Sequence, residues 1–97
     1  MDLHEEKYFI AIAKNRSLTA AAEQVHVSQQ ALSLYLSRLE KQLKAILFIR
    51  SPQGMELTEL GSVYLECCRK NVENWEQAAE QIRRICAQAE EKDGSVL

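Results

Sequence analysis

Helix breakers are scarce in this chain. Its 97 residues hold one proline, Pro52, and three glycines, Gly54, Gly61 and Gly94, all beyond residue 51. So few breakers predict a mostly helical chain, and no two glycines stand close enough to build a phosphate-cradling loop. Cysteine is scarce too. Cys67, Cys68 and Cys86 make an odd set without a CxxC. Adjacent cysteines on a helix point about 100° apart, which suits neither a disulfide nor a chelate. All three read as reduced, small apolar residues. The two histidines, His4 and His26, have no cysteine or carboxylate at ligand spacing, so neither a metal nor any other cofactor is expected. No apolar run exceeds the six residues from Tyr8 to Ala13, far below the roughly 20 that span a bilayer. Asp2, Glu5 and Glu6 stand where a signal peptide would carry basic groups. The expectation is a cytoplasmic protein with no membrane partner. No nucleophile–base pair or carboxylate dyad falls at usable spacing, so no enzyme is expected either.

What is present suits one small domain. Apolar residues at 46% and charged residues at 27% give a globular rather than a disordered balance. The net charge of −2 excludes an electrostatic scavenger of nucleic acid, but the charge is uneven. Residues 1–58 carry seven basic groups against six acidic ones, and residues 59–97 carry five against eight. Any contact with a phosphate backbone therefore belongs to the first part.

Periodicity divides the chain into helices. The first runs from Leu3 to Lys14, with Leu3, Phe9, Ile12 and Ala13 as its core face. Ser17 can cap a second, whose stripe is Leu18, Ala21, Ala22 and Val25. His26-Val27 then forms a tight turn, where histidine tolerates the left-handed backbone, and Ser28 caps a third helix. That helix buries Leu32, Leu36, Leu39 and Leu43 and turns Gln29, Gln30, Ser33, Ser37, Lys41 and Lys44 outward. Two short helices, a turn and a longer helix with a polar face outline a helix-turn-helix. A plain solvated face has the same periodicity. Leu47 to Arg50, the turn Ser51-Pro52-Gln53-Gly54 and Met55 to Leu57 read as a hairpin with a type I turn, which makes the outline a winged one.

Thr58 caps a last helix that nothing interrupts before Asp93-Gly94. About 34 residues at 1.5 Å each give a rod of about 50 Å. Tyr64, Cys68, Asn71, Trp75, Ala78, Ile82, Ile85 and Ala89 recur along it in alternating steps of four and three, the spacing of a coiled-coil seam. A second chain is the simplest cover for it.

These residues have a familiar arrangement. Asp2-Leu3 with Tyr8-Phe9, Ser17-Leu18-Thr19 with Ala21-Ala22-Glu23, and His26-Val27-Ser28-Gln29 open the match, and Leu32-Ser33 and Arg38-Leu39-Glu40 follow. Leu47-Phe48 with Arg50, and Leu57-Thr58-Glu59 with Gly61, complete it. Over residues 1 to about 65 the chain resembles the N-terminal DNA-binding domain of LysR-type transcriptional regulators. The resemblance implies a mainly α fold, a winged helix-turn-helix of three helices and a small hairpin, followed by a long dimerising linker helix. It places that domain at 1–58, with the helix-turn-helix motif at 18–37 and the wing at 47–57. The linker helix follows at 59–92, and 93–97 begin a hinge toward an effector domain. It implies an operator in double-stranded DNA, a homodimer with higher oligomers open to a full-length regulator, and an inducer bound only by the effector domain.

The resemblance also implies roles for residues. Ser17 and Thr19 meet phosphate, while Gln29, Gln30 and Ser33 face base edges in the major groove. Arg50 and the turn from Ser51 to Gly54, with Gln53 at its tip, form the wing beside the minor groove. Ser28, Leu34, Ser37 and Arg38 complete the DNA-facing set. The chain departs from the family pattern at Gln30, usually proline, and Ala45, usually glycine. Leu34 stands where arginine is usual, and Ser37, Gln53 and Glu56 replace residues that are often basic. With four potential cations missing, binding weaker and less salt-sensitive than the family norm is expected. Leu34 itself has three readings: a scattered surface leucine, a residue packed on the wing or another chain, or a contact to a thymine methyl. The rival for the whole chain is a protein-interaction module that dimerises through its coiled coil and has lost DNA contacts.

Overall fold

The computed structural model describes residues 3–93, with side chains through Ala89. Three helices, α1 (His4–Asn15), α2 (Leu18–Val25) and α3 (Gln29–Leu43), precede a hairpin of β1 (Phe48–Ser51) and β2 (Gly54–Leu57), and α4 (Glu59–Asp93) follows. The expected hinge residues 94–97 lie outside the described residues.

Local chemistry sets the boundaries. Ser17 Oγ accepts the Ala20 N–H at 3.1 Å and Ser28 Oγ accepts the Ala31 N–H at 3.0 Å, so each serine starts its helix. Thr58 Oγ1 caps α4 through the Gly61 N–H at 3.0 Å and donates back to the Ile46 carbonyl at 2.6 Å. With glycine so scarce, α1 to α3 end on left-handed Arg16, His26 and Lys44, at φ 55°, 60° and 54°. Lys44 is thus a cap, not a member of the third helix.

The core gathers where α1, α2, α3 and the base of α4 meet. Phe9, Ile12, Leu32, Leu47 and Cys68 are its most deeply buried large side chains. The Phe9 ring lies 5.0 Å from Phe48 and 4.8 Å from Tyr64, which ties the wing and the long helix to one residue of α1. Ala11 is fully buried and Ala13 only half-buried, a small rotation from the expected face. The leucine stripe of α3 also fades: Leu32 and Leu36 are buried, Leu39 is half-buried and Leu43 is exposed.

In the hairpin Phe48 pairs with Leu57, Ile49 with Glu56, Arg50 with Met55 and Ser51 with Gly54. Pro52 and Gln53 keep negative φ, as a type I turn requires, and the positive φ falls on Gly54 at 114°. Glycine is needed there for space as well, because a Cβ would collide with the Arg16 carbonyl oxygen. That same oxygen accepts the Met55 N–H at 2.9 Å, which fastens the wing to the end of α1.

The seam expected along α4 needs one correction. Cys68 is 1% exposed and Tyr64 is half-buried on Phe9, so both are already covered by the chain's own body. Their periodicity continues the seam because both stretches lie on one face of α4, but α1 covers its lower part. Beyond Cys68 the rod leaves the body, and Asn71, Trp75, Ala78, Ile82 and Ile85 are exposed. Ala89 is half-buried.

Candidate nucleic-acid interface

Two concavities share the N-terminal end of α3. The first, about 500 Å³, is lined by Gln29, Gln30, Ser33, Leu34 and Ser37. Gln30, Ser33, Leu34 and Ser37 lie on the face of α3 turned away from the buried Leu32 and Leu36, and Gln29 sits at the first turn beside them. The second, about 310 Å³, is lined by Arg16, Ser17, Leu18, Thr19, Gln29, Arg50, Ser51, Gly54 and Met55. It brings the start of α2, the start of α3 and the wing together, and Gln29 belongs to both.

Gln29 is held from below. Thr19 Oγ1 donates to Gln29 Oε1 at 3.1 Å, which orients the amide and leaves its NH2 group free to donate. Thr19 at the α2 end therefore supports Gln29 at the start of α3. Ser17 and Ser28 accept helix N–H groups through Oγ and keep their own hydroxyl protons available for an acceptor such as phosphate. Ser51 is more committed: its hydroxyl donates to the Gly54 carbonyl at 3.0 Å and accepts the Gln53 N–H at 3.2 Å, bonds that stiffen the turn. Arg50 and Gln53 are exposed on the wing, and Arg38 is exposed on α3 but lines neither concavity. Lys41 and Lys44 lie at the other end of α3, beside a third hollow that includes Ser37, Glu40 and Ile46.

Two residues central to this geometry carry no role in the sequence reading. Arg16 donates from Nη2 to Glu56 Oε1 at 3.1 Å and from Nε to the Met55 carbonyl at 3.4 Å. It thus joins the helix-turn-helix body to the wing, and the ion pair partly neutralises its cation beside the second concavity. Glu40 Oε2 accepts the N–H groups of Leu47, at 2.7 Å, and Phe48, at 3.3 Å, which fixes where the hairpin leaves α3. Only their charge and, for Glu40, a place in the familiar motif signal them in the sequence.

The shifted titrating groups lie away from these grooves. Burial pushes the Cys68 thiol up to about 12, with Cys67 and Glu6 adding repulsion. Burial and then Cys68 raise the Tyr64 phenol to about 12. The Tyr35 phenol rises further, chiefly through burial, and its hydroxyl donates to the Glu5 carbonyl at 2.9 Å. On the exposed rod, hydrogen bonds from Arg83 and Arg84 hold the Glu80 carboxyl below its usual range. Among the described residues no cluster of His, Cys, Asp or Glu is placed to hold a metal ion. No described helix is long and apolar enough to cross a membrane.

Three helices, a wing and an exposed polar face on the third helix define a winged helix-turn-helix module. Residues 3–62 match the bacterial regulatory helix-turn-helix proteins of the lysR family, and the chain belongs to that family. It is 40% identical over 73 residues to the HTH-type transcriptional regulator TcbR of Pseudomonas sp. strain P51, a match covering 75% of this chain and 25% of TcbR. The HTH-type transcriptional regulator BudR of Klebsiella aerogenes is 38% identical over 85 residues, covering 88% of this chain and 59% of BudR. Among solved structures, the DNA-binding domain of CbnR in complex with DNA aligns with a TM-score of 0.77 at 35% identity, covering 88% of this chain and 98% of that one. The BenM domain bound to its catB site 1 DNA aligns at 0.79 and 28% identity, covering 88% of this chain and 96% of that one. The chain spans about a quarter of the length of TcbR.

Proposed function

We propose that this chain is the DNA-binding part of a cytoplasmic transcriptional regulator and binds double-stranded DNA sequence-specifically as a dimer. The observation that carries the reading is the exposed, uncharged groove of Gln29, Gln30, Ser33, Leu34 and Ser37. Amides and hydroxyls without net charge suit base edges better than phosphates. The adjoining cleft supplies Ser17 and Arg50 for the backbone, while the Thr19 hydroxyl proton is committed to Gln29. The CbnR and BenM domains that share the fold are both complexes with DNA. In this reading α3 enters the major groove, the wing lies by the minor groove, residues 1–58 bind and residues 59–92 pair two copies. Inducer sensing then falls to sequence outside this chain, and the chain performs no catalysis.

The test is a titration of Gln29→Ala against a selected operator at two salt concentrations. Base preference relaxes at one position, by about 1–3 kcal/mol, while the salt dependence stays put, because no phosphate contact is lost. Lys41→Ala leaves the base preference unchanged. A Gln29→Ala protein with the preference of the parent overturns the placement of α3. A parent that fails to bind any duplex supports the protein-interaction module instead.

Glu56→Gln tests the phosphate cleft from the opposite direction. The Arg16–Glu56 pair is half-exposed, so losing it costs at most about 1 kcal/mol of stability. The freed guanidinium gains a phosphate. Affinity rises several-fold at low salt, and the slope of log K against log salt steepens by about 0.9. An unchanged slope in the variant overturns the gain of a phosphate by Arg16.

A further inference from the structure

Leu34 stands out on the surface that the proposed function assigns to DNA. It is 49% exposed yet lines the same groove as Gln30, Ser33 and Ser37, where every other lining side chain is an amide or a hydroxyl. It is not part of the leucine stripe, since Leu32 and Leu36 take the buried face. The cleft that reaches the wing at Arg50 and Ser51 includes Gln29 but not Leu34.

A side chain half in water within this groove gains from an apolar partner that the groove of DNA can supply. The major groove offers one such group, the C5-methyl of thymine. We propose that Leu34 contacts that methyl and makes the chain select thymine at one operator position; the inference rests on the DNA-binding reading above. Geometry adds a constraint. Leu34 lies four residues after Gln30, about 6 Å along the helix, and base pairs rise about 3.4 Å. The methyl that Leu34 meets is thus within about two base pairs of the base that Gln30 reads.

The experiment works without a known operator. A preferred duplex is selected from a random pool with this chain, and each thymine in it is replaced singly by uracil, which removes only the methyl. Wild type loses about fourfold in affinity at one thymine per half-site, the worth of burying one methyl group. That thymine lies within two base pairs of the position where Gln30→Ala relaxes preference. Leu34→Ala binds the thymine and uracil duplexes alike at that position and keeps wild-type sensitivity elsewhere. A wild type indifferent to every uracil overturns the contact, as does a Leu34→Ala protein that keeps the same loss. Failure to select any duplex overturns the DNA-binding reading itself and this inference with it.

Discussion

Gly61→Ala lowers the thermal midpoint by about 12 °C or more. A Cβ at position 61 runs into the Leu47 carbonyl oxygen and presses on Leu57 Cδ2. The carbonyl is main chain and cannot swing aside, and it already accepts the Thr58 N–H at 3.0 Å. Relief therefore requires α4 to lift away from the segment before the hairpin. That movement loosens Leu65 and Cys68, the buried residues by which α4 joins the core. Overpacking of this kind costs about 3 kcal/mol, and a chain this size loses roughly 4 °C or more for each kcal/mol. Melting is compared at equal protein concentration, because association raises the midpoint. Ser62→Ala, one residue on and exposed, shifts stability by less than about 0.5 kcal/mol. Equal midpoints for Gly61→Ala and the parent overturn the close approach.

Trp75→Ala weakens dimerisation about thirtyfold or more, the equivalent of about 2 kcal/mol for an aromatic anchor at an interface centre. Trp75 is 39% exposed in the single chain, and Ile82 and Ile85, further along the same face, are 60% and 59% exposed. All three lie past Cys68, where no other described element covers them. Three large apolar side chains on one rod in water call for a partner surface, and a second α4 supplies one of matching length. Because Trp75 is outside the core, the variant keeps its helix content and its melting as a monomer. Sedimentation at several concentrations reads the change in dissociation constant. A parent chain that is monomeric at micromolar concentration overturns the dimer.

Local chemistry made much of the fold legible. Ser17, Ser28 and Thr58 are short polar residues ahead of apolar periodicity, and each accepts the N–H three residues on. His26 had to be left-handed because the chain there has no glycine to do it, and its φ is 60°. Ser51, Pro52 and Gly54 dictate their turn through preferences confined to four residues. The exposed polar face of α3 was legible for the same reason: side chains at helical spacing share a face whatever surrounds them.

Other features depend on what the chain brings together over long separations. Periodicity marks one face of α4 as apolar but says nothing of what covers it. Packing on α1 takes Tyr64 and Cys68 and leaves Trp75, Ile82 and Ile85. Arg16 meets Glu56 across 40 residues, and Glu40 meets Leu47 around the end of a helix. No spacing rule anticipates either, because each contact exists only once the hairpin has folded back onto the helices. The hydrogen bond from Thr19 to Gln29 is of the same kind: the two residues are ten apart in sequence, and only the approach of α2 to α3 makes one the support of the other.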